Sequence, residues 1–253
     1  MTLTDLDRWL REFLDLAAFE AIDQSRNGLQ VANSAPEITK VAFAVDASLE
    51  CFRRAIEWGA HMLFVHHGIL WEKPERIVGA LYERLRILME GNLALYAAHL
   101  PLDQHPEVGN NIGIARHLGL RDIEPFGAYR GTKIGYKGTL SVPARLDEVV
   151  HRLSAGHGEQ VRTLPFGPEL IRTIGIVSGG AAWEVTQAVE EKLDLYITGE
   201  PLHAIYHHCL ESRIHVIFAG HYQSESFGIR SLSERLARET GVDTVYVDVP
   251  TGL

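Results

Sequence analysis

Two stretches of the chain repeat one pattern, a short apolar run, a helical stretch and a second apolar run that stops at polar residues. In the first, Lys40-Val41-Ala42-Phe43-Ala44-Val45-Asp46 precedes a helical stretch from Leu49 to Trp58, and Met62-Leu63-Phe64-Val65 then ends at His66-His67. In the second, Ile174-Gly175-Ile176-Val177-Ser178 leads through a Gly179-Gly180-Ala181 turn to a helix over Trp183 to Lys192, and Leu195-Tyr196-Ile197 ends at Thr198-Gly199-Glu200. Val45 to Val65 and Val177 to Ile197 are both 20 residues apart. Apolar runs this short, without alternation and separated by helices, read as strands covered on both faces, which is the α/β class.

Each repeat continues into a further helix and strand. The first runs from Leu93 to Ala98 into His99-Leu100-Pro101-Leu102-Asp103, and the second from Val216 to Gly220 into His221-Tyr222-Gln223-Ser224-Glu225. Both end in a histidine with an acid four residues on. The matched spacing predicts an internal duplication, two similar α/β lobes over residues 1–126 and 127–253. The boundary is placed there because Gly127, Gly131, Gly135, Gly138 and Pro143 punctuate that region. Leu3, Leu6, Trp9, Leu10, Phe13 and Leu14 predict an opening amphipathic helix capped by Thr2 or Thr4. Thr244 to Val249 reads as a last strand, free to pack back on the first lobe.

Composition removes several functions. With 24 Lys+Arg against 33 Asp+Glu the chain carries a formal charge of −9, so the basic face of a nucleic-acid binder is not expected. Cys51 and Cys209 stand alone, which argues against a disulfide scaffold or thiolate zinc knot and for a reducing compartment. The N-terminus is charged from Asp5 onward, unlike a signal peptide, and no run approaches the ~18 apolar residues of a membrane span. A cytoplasmic protein with no membrane partner is expected.

The 13 histidines matter through their placement. Four clusters fall at strand ends, where open α/β sheets bind ligands: His66-His67, His99 with Asp103, Glu200 with His203, and His221 with Glu225. Imidazole and carboxylate without thiolate suit Zn, Fe, Mn, Ni or Co. As neighbours on a strand, His66 and His67 point to opposite sides unless the chain turns at Gly68. A pair of this kind suits two nearby ions, each taking one imidazole, and it is equally the form of a hydrogen-bonded loop pair. A helix predicted from Phe227 to Glu239 puts Glu225 near a helix N-terminus, which favours an ionised carboxylate. Glu200 and His203 flank Pro201 and fit an ordinary helix start as well.

The remaining candidates are weaker. His207, His208 and Cys209 lie inside a helical stretch and read as surface or core. His61, His105, His117, His151, His157 and His215 lack partners at useful spacing and read as structural. Ser178-Gly179-Gly180-Ala181 follows a strand but lacks the lysine and spacing of a phosphate loop. No nucleophile elbow or cysteine dyad is present.

Asn27-Gly28-Leu29-Gln30-Val31, His66-His67-Gly68, His99 to Asp103 with Gly109-Asn110-Asn111, Thr198-Gly199-Glu200 with His203, and Ala219-Gly220-His221-Tyr222 to Glu225 occur in this order along most of the chain. In combination they resemble the Nif-three-like dinuclear metal centre family, also labelled GTP cyclohydrolase I type 2 homologues. The resemblance implies two α/β lobes of shared fold, with helices on mixed sheets, assembled as a toroidal homohexamer whose metal pairs face an inner cavity. By motif position it implies two divalent ions per chain held by His66, His67, Asp103, His221 and Glu225, with His99 at the edge as a ligand or as the partner of one. Leu100-Pro101 departs from the threonine that the family often carries after this histidine, and the long central insertion of some members is missing.

Four positive charges against two carboxylates leave such a site positive, so an anionic small molecule is the expected partner. Paired ions activate water, which points to hydrolysis of a phosphate-bearing or nucleotide-like substrate, GTP ring opening being the version in the family label. Glu225 would bridge the ions, and Glu200 or His203 would serve proton transfer. The competing reading is a metal-binding or scaffold ring without turnover. A ring that threads nucleic acid would need a basic inner surface that a charge of −9 does not promise.

Overall fold

A computed structural model describes residues 1–73, 75–154 and 161–253, and His157 lies outside the described residues. By its internal contacts the chain divides into two units, Met1–Leu102 with Ile229–Val249, and Asp103–Gly228 with Pro250–Leu253.

The first unit opens with α1 (Leu3–Phe13), where the Thr2 hydroxyl caps the helix by accepting from the Asp5 amide and Leu6 and Leu10 are buried. There follow β1 (Gly28–Val31), β2 (Lys40–Asp46), α2 (Leu49–Trp58), β3 (Met62–His67), α3 (Gly79–Glu90) and β4 (Ala94–Ala97). Ser48 caps α2 through the Cys51 amide, and Gly59, in the left-handed region at φ 80°, ends it. β2, β3 and β4 are parallel, β1 lies antiparallel on β4, and the C-terminal strand Asp243–Tyr246 runs parallel on β2. Met62, Leu63, Phe64 and Val65 are fully buried. Burial of each such side chain stabilises the sheet by roughly 1.5–3 kcal/mol, so the strand is fixed up to the point where His66 begins.

The second unit takes in the end of α4 (Leu100–Gln104), then α5 (Asn110–His117), β5 (Leu120–Tyr129), β6 (Thr132–Ala144), α6 (Leu146–Ser154), β7 (Arg162–Pro165), β8 (Ile171–Ile176), α7 (Val185–Glu190), β9 (Leu195–Thr198), α8 (Tyr206–Ser212) and β10 (His215–Phe218). Its sheet has the order β5-β6-β8-β9-β10-β7. β8, β9 and β10 are parallel, and β5, β6 and β7 pair antiparallel. Ile174, Ile176, Leu195, Ile197 and Ile217 form its buried centre. α9 (His221–Thr240) and β11 (Asp243–Tyr246) complete the chain, and the division between units falls within α9 after Gly228.

Both units carry the same connectivity. β2-α2-β3-α3-β4 and β8-α7-β9-α8-β10 each lay down three parallel strands in sequence order, with an antiparallel strand beside the third. The fold is therefore the duplicated α/β arrangement that the spacing predicted, built on mixed sheets.

The division differs from a cut at residue 126. Phe126 sits inside β5 opposite Gly135, so a boundary there would split a hairpin. The glycines that suggest a linker serve that hairpin and its neighbour. Gly131 takes φ 87° beside the turn, and a Cβ at Gly135 would collide with the Ile176 carbonyl of the adjacent strand. α9 also begins earlier than a helix from Phe227, so Glu225 lies one turn inside it. Among the described residues no helix is long and apolar enough to cross a membrane.

Candidate metal centre

In the first unit three imidazoles come together at the C-terminal end of the parallel strands. His66 and His67 close β3, and His99 follows β4. Their ring centroids are 4.7 Å apart for His66 and His67, 5.0 Å for His66 and His99, and 5.7 Å for His67 and His99. A ligand nitrogen of each lies within 4.8 Å of the others'. Adjacent strand positions therefore do not send His66 and His67 to separate places, because the strand ends here and both rings swing to one side.

Each ring is oriented through Nδ1. His66 Nδ1 donates to the Ala98 carbonyl at 3.0 Å, His67 Nδ1 to Asp46 Oδ1 at 2.8 Å, and His99 Nδ1 to Asp23 Oδ1 at 2.8 Å. A carbonyl or carboxylate oxygen can only accept, so the proton sits on Nδ1 and the lone pair of the neutral ring on Nε2. Histidine ligands of metals are held in this way. The donor set thus fits a divalent transition metal: three imidazoles that present Nε2 in their neutral form, and no thiolate.

Asp23 anchors more than His99. Oδ2 accepts from the Asn27 side chain at 2.8 Å and the Leu100 amide at 2.9 Å, and Oδ1 also accepts from the Ser25 amide at 2.9 Å. Burial opposes its ionisation, but His99, Asn27 and the Ser25 amide outweigh burial and hold its pKa below the usual carboxylate range. Asn27 in turn accepts the His99 amide at 2.9 Å. Gln30 fastens the loop after the histidine pair, accepting from the Ile69 and Leu70 amides and donating to the Arg26 and Leu70 carbonyls. A side chain at Gly68 would collide with Gln30. Trp71 stands edge-on to His99 at 5.3 Å, its indole N–H donating to the Gly68 carbonyl.

The second unit gathers the carboxylates. Asp103 is buried, and its Oδ1 accepts from Asn110 Nδ2 at 2.9 Å and Ser178 Oγ at 3.0 Å. Asn111 donates to the Asp103 and Ile134 carbonyls at 3.2 and 2.9 Å and accepts the Ser178 amide at 2.7 Å. Asn110 also accepts the Gly228 amide at 2.7 Å. His221 is the first residue of α9 and Glu225 follows one turn later on the same face, with Nε2 and Oε2 3.1 Å apart. His221 Nδ1 lies 2.6 Å from Glu200 Oε1. Burial would lower the His221 pKa, but bonding and charge from Glu225 and Glu200 outweigh it and raise the value to about 9.

Gly179 makes room for this arrangement. It adopts φ 66°, its amide donates to Ser224 Oγ at 3.0 Å, and a Cβ there would strike the Glu225 carboxylate.

Each unit thus assembles its own share of the residues singled out in the sequence. His66, His67 and His99 converge in the first, and Glu200, His221 and Glu225 in the second. His203 does not join them. It opens the turn His203–Ile205, is exposed, and belongs to none of the ligand groups found among the described residues. Sequence reasoning missed Asp23, Asp46 and Ser178, which orient these side chains, and met Asn110 and Asn111 only as part of the family motif. Asp46 closes β2 as His67 closes β3, so a polar residue ending a neighbouring parallel strand was the available signal.

The chain is similar to known proteins along its whole length. The sequence profile of the family described as Duf34/NIF3 (NGG1p interacting factor 3) matches residues 1–251. The chain is 41% identical over 286 aligned residues to a GTP cyclohydrolase 1 type 2 homolog of Treponema pallidum, and 44% identical over 253 residues to one of Archaeoglobus fulgidus, with 100% of both chains covered in each case. Among solved structures it is similar to TTHA1606 from Thermus thermophilus, at TM-score 0.92 and 38% identity, with 100% of each chain covered. It is also similar to the protein ybgI, described as of unknown function, at TM-score 0.93 and 32% identity with the same coverage.

Proposed function

The chain belongs to the DUF34/NIF3 family, and on that premise we propose that it is a cytoplasmic dinuclear metal protein that hydrolyses a phosphate-bearing or nucleotide-like substrate. In this reading two ions of Zn, Fe, Mn, Ni or Co are held by His66, His67, Asp103, His221 and Glu225, with His99 completing the histidine group. The observation that carries it is the common tautomer of the three imidazoles, each with its Nδ1 proton committed to an oxygen and its lone pair on Nε2. Such rings are prepared as ligands before any ion arrives. The names of the relatives, GTP cyclohydrolase 1 type 2 homologs, favour a nucleotide-like substrate.

Divalent ions held by this set would supply Lewis acidity for hydrolysis. The protein's own groups then have distinct tasks. Glu225, buried and within reach of His221, would help hold the ions as a carboxylate. Glu200 accepts the hydrogen bond from His221 Nδ1 and, being half exposed, is placed to pass protons between that ring and solvent. Among the described residues His203 makes no such contact, so Glu200 is the better proton carrier. A homohexameric ring belongs to the same proposal and is read by sedimentation.

The first experiment is elemental mass spectrometry on protein purified without chelator, with assays on phosphate esters and GTP alongside. About two transition-metal ions per chain with metal-dependent turnover are expected. Two ions without turnover on any substrate would favour the scaffold reading, and no uptake after reconstitution would overturn the metal centre. E225A should lose paired occupancy while keeping its fold, and two ions retained in that variant would remove Glu225 from the ligand set.

A further inference from the structure

A cavity of about 310 Å³ opens in the second unit beyond the ends of β9 and β10. Strand register fixes what faces it. Arg162 of β7 pairs with Phe218 of β10, and Phe218 pairs with Thr198 of β9, so the three stand in one row. Neighbouring strands are ~4.8 Å apart, which separates the backbones of Arg162 and Thr198 by roughly 10 Å. Glu200 lies two residues past Thr198 and forms the other wall, its Oε1 2.6 Å from His221 Nδ1. Phe218, Pro201 and Leu253 supply apolar surface between the two.

The cavity is electrically polar from end to end. Among the described residues that line it, Arg162 has the one cationic side chain and Glu200 the one carboxylate side chain. An anion is attracted to the β7 wall, whereas the Glu200 carboxylate of the β9 wall is already paired with His221. We propose that this cavity binds an organic phosphate monoester, its phosphate gripped by Arg162 and its uncharged, reacting portion directed at Glu200 and His221. The planar guanidinium suits a phosphate with two parallel hydrogen bonds. Held there, the phosphate is a handle that contributes binding energy without reacting, and the bond to be cleaved lies at the far end of the molecule. This assignment rests on the proposed function, and it narrows the substrate to one whose phosphate survives the reaction.

The test is calorimetric titration of full-length protein with phenyl phosphate, using metal-loaded and chelator-treated samples of wild type, R162A and R162K, with benzyl alcohol as the uncharged control. Circular dichroism checks that each variant is folded. In both metal states R162A should bind phenyl phosphate about tenfold more weakly or worse, and R162K should recover part of the loss. Benzyl alcohol binding should not change. Equal affinity in wild type and R162A overturns the assignment, as does a wild type that does not bind phenyl phosphate. Binding that vanishes on chelation and ignores Arg162 would put the phosphate on the ions, overturning this inference while leaving the metal hydrolase standing. A wild type that takes up no metal yet loses phenyl phosphate with R162A would do the reverse.

Discussion

His67 and Asp46 are partners across paired strands: their backbones are in register between β3 and β2, and Nδ1 lies 2.8 Å from Oδ1. The two parallel strands end together, so the bond that aims the ring is a by-product of sheet register.

The D46A variant keeps the sheet, because Asp46 is partly exposed and the strand core below it is intact. The freed ring can rotate and change tautomer. Metal affinity, measured by competition with a chromophoric chelator, should fall about 10–100-fold with little change in melting temperature. Unchanged affinity would mean that β2 plays no part in orienting the ligand.

Asn111 ties Asp103 to β6 and to the loop after β8 through three buried hydrogen bonds. N111A strands the Ser178 amide and two carbonyls, at a cost of about 2–4 kcal/mol. Urea unfolding should show the loss, with metal content falling as Asp103 loses its support. A neutral N111A would show that water replaces the side chain at no cost.

Glycine at position 179 is required twice, by its positive φ and by the closeness of Glu225. G179A should cost about 1–2 kcal/mol from the backbone alone. It should also push the Glu225 carboxylate aside and lower metal occupancy more than its melting temperature suggests. Full occupancy in G179A would show that the helix start can shift without harm.

Burial pushes the Cys209 thiol up to about 11 from an ordinary value of 9.0. Because the folded value is the higher one, the thiol's contribution to stability is complete below 9 and disappears as pH rises through about 11. Native protein should therefore resist thiol reagents at pH 8, and C209A, unlike wild type, should lack this loss of stability in the alkaline range. Rapid labelling of native Cys209 at pH 8 would contradict its burial.

The parallel strands were legible because each is apolar on both faces and stops at a polar residue, as Met62 to His67 shows. The antiparallel additions were not. β5 and β6 carry exposed residues and glycines, so their pairing shows only in register, and it displaced the expected boundary at residue 126. Of the site, the gathering of His66, His67 and His99 could be read, since all three fall at the ends of parallel strands. Their supports could not. Asp23 and His99 are 76 residues apart in sequence, and a single aspartate in a loop carries no mark of the ring it will hold.

Because a backbone carbonyl and two carboxylates fix the three imidazoles from separate parts of the first unit, ion entry has little left to organise there. The entropy of ordering the rings is spent when the chain folds, not when metal binds. If the proposed metal centre holds, a stripped protein should then refill without unfolding.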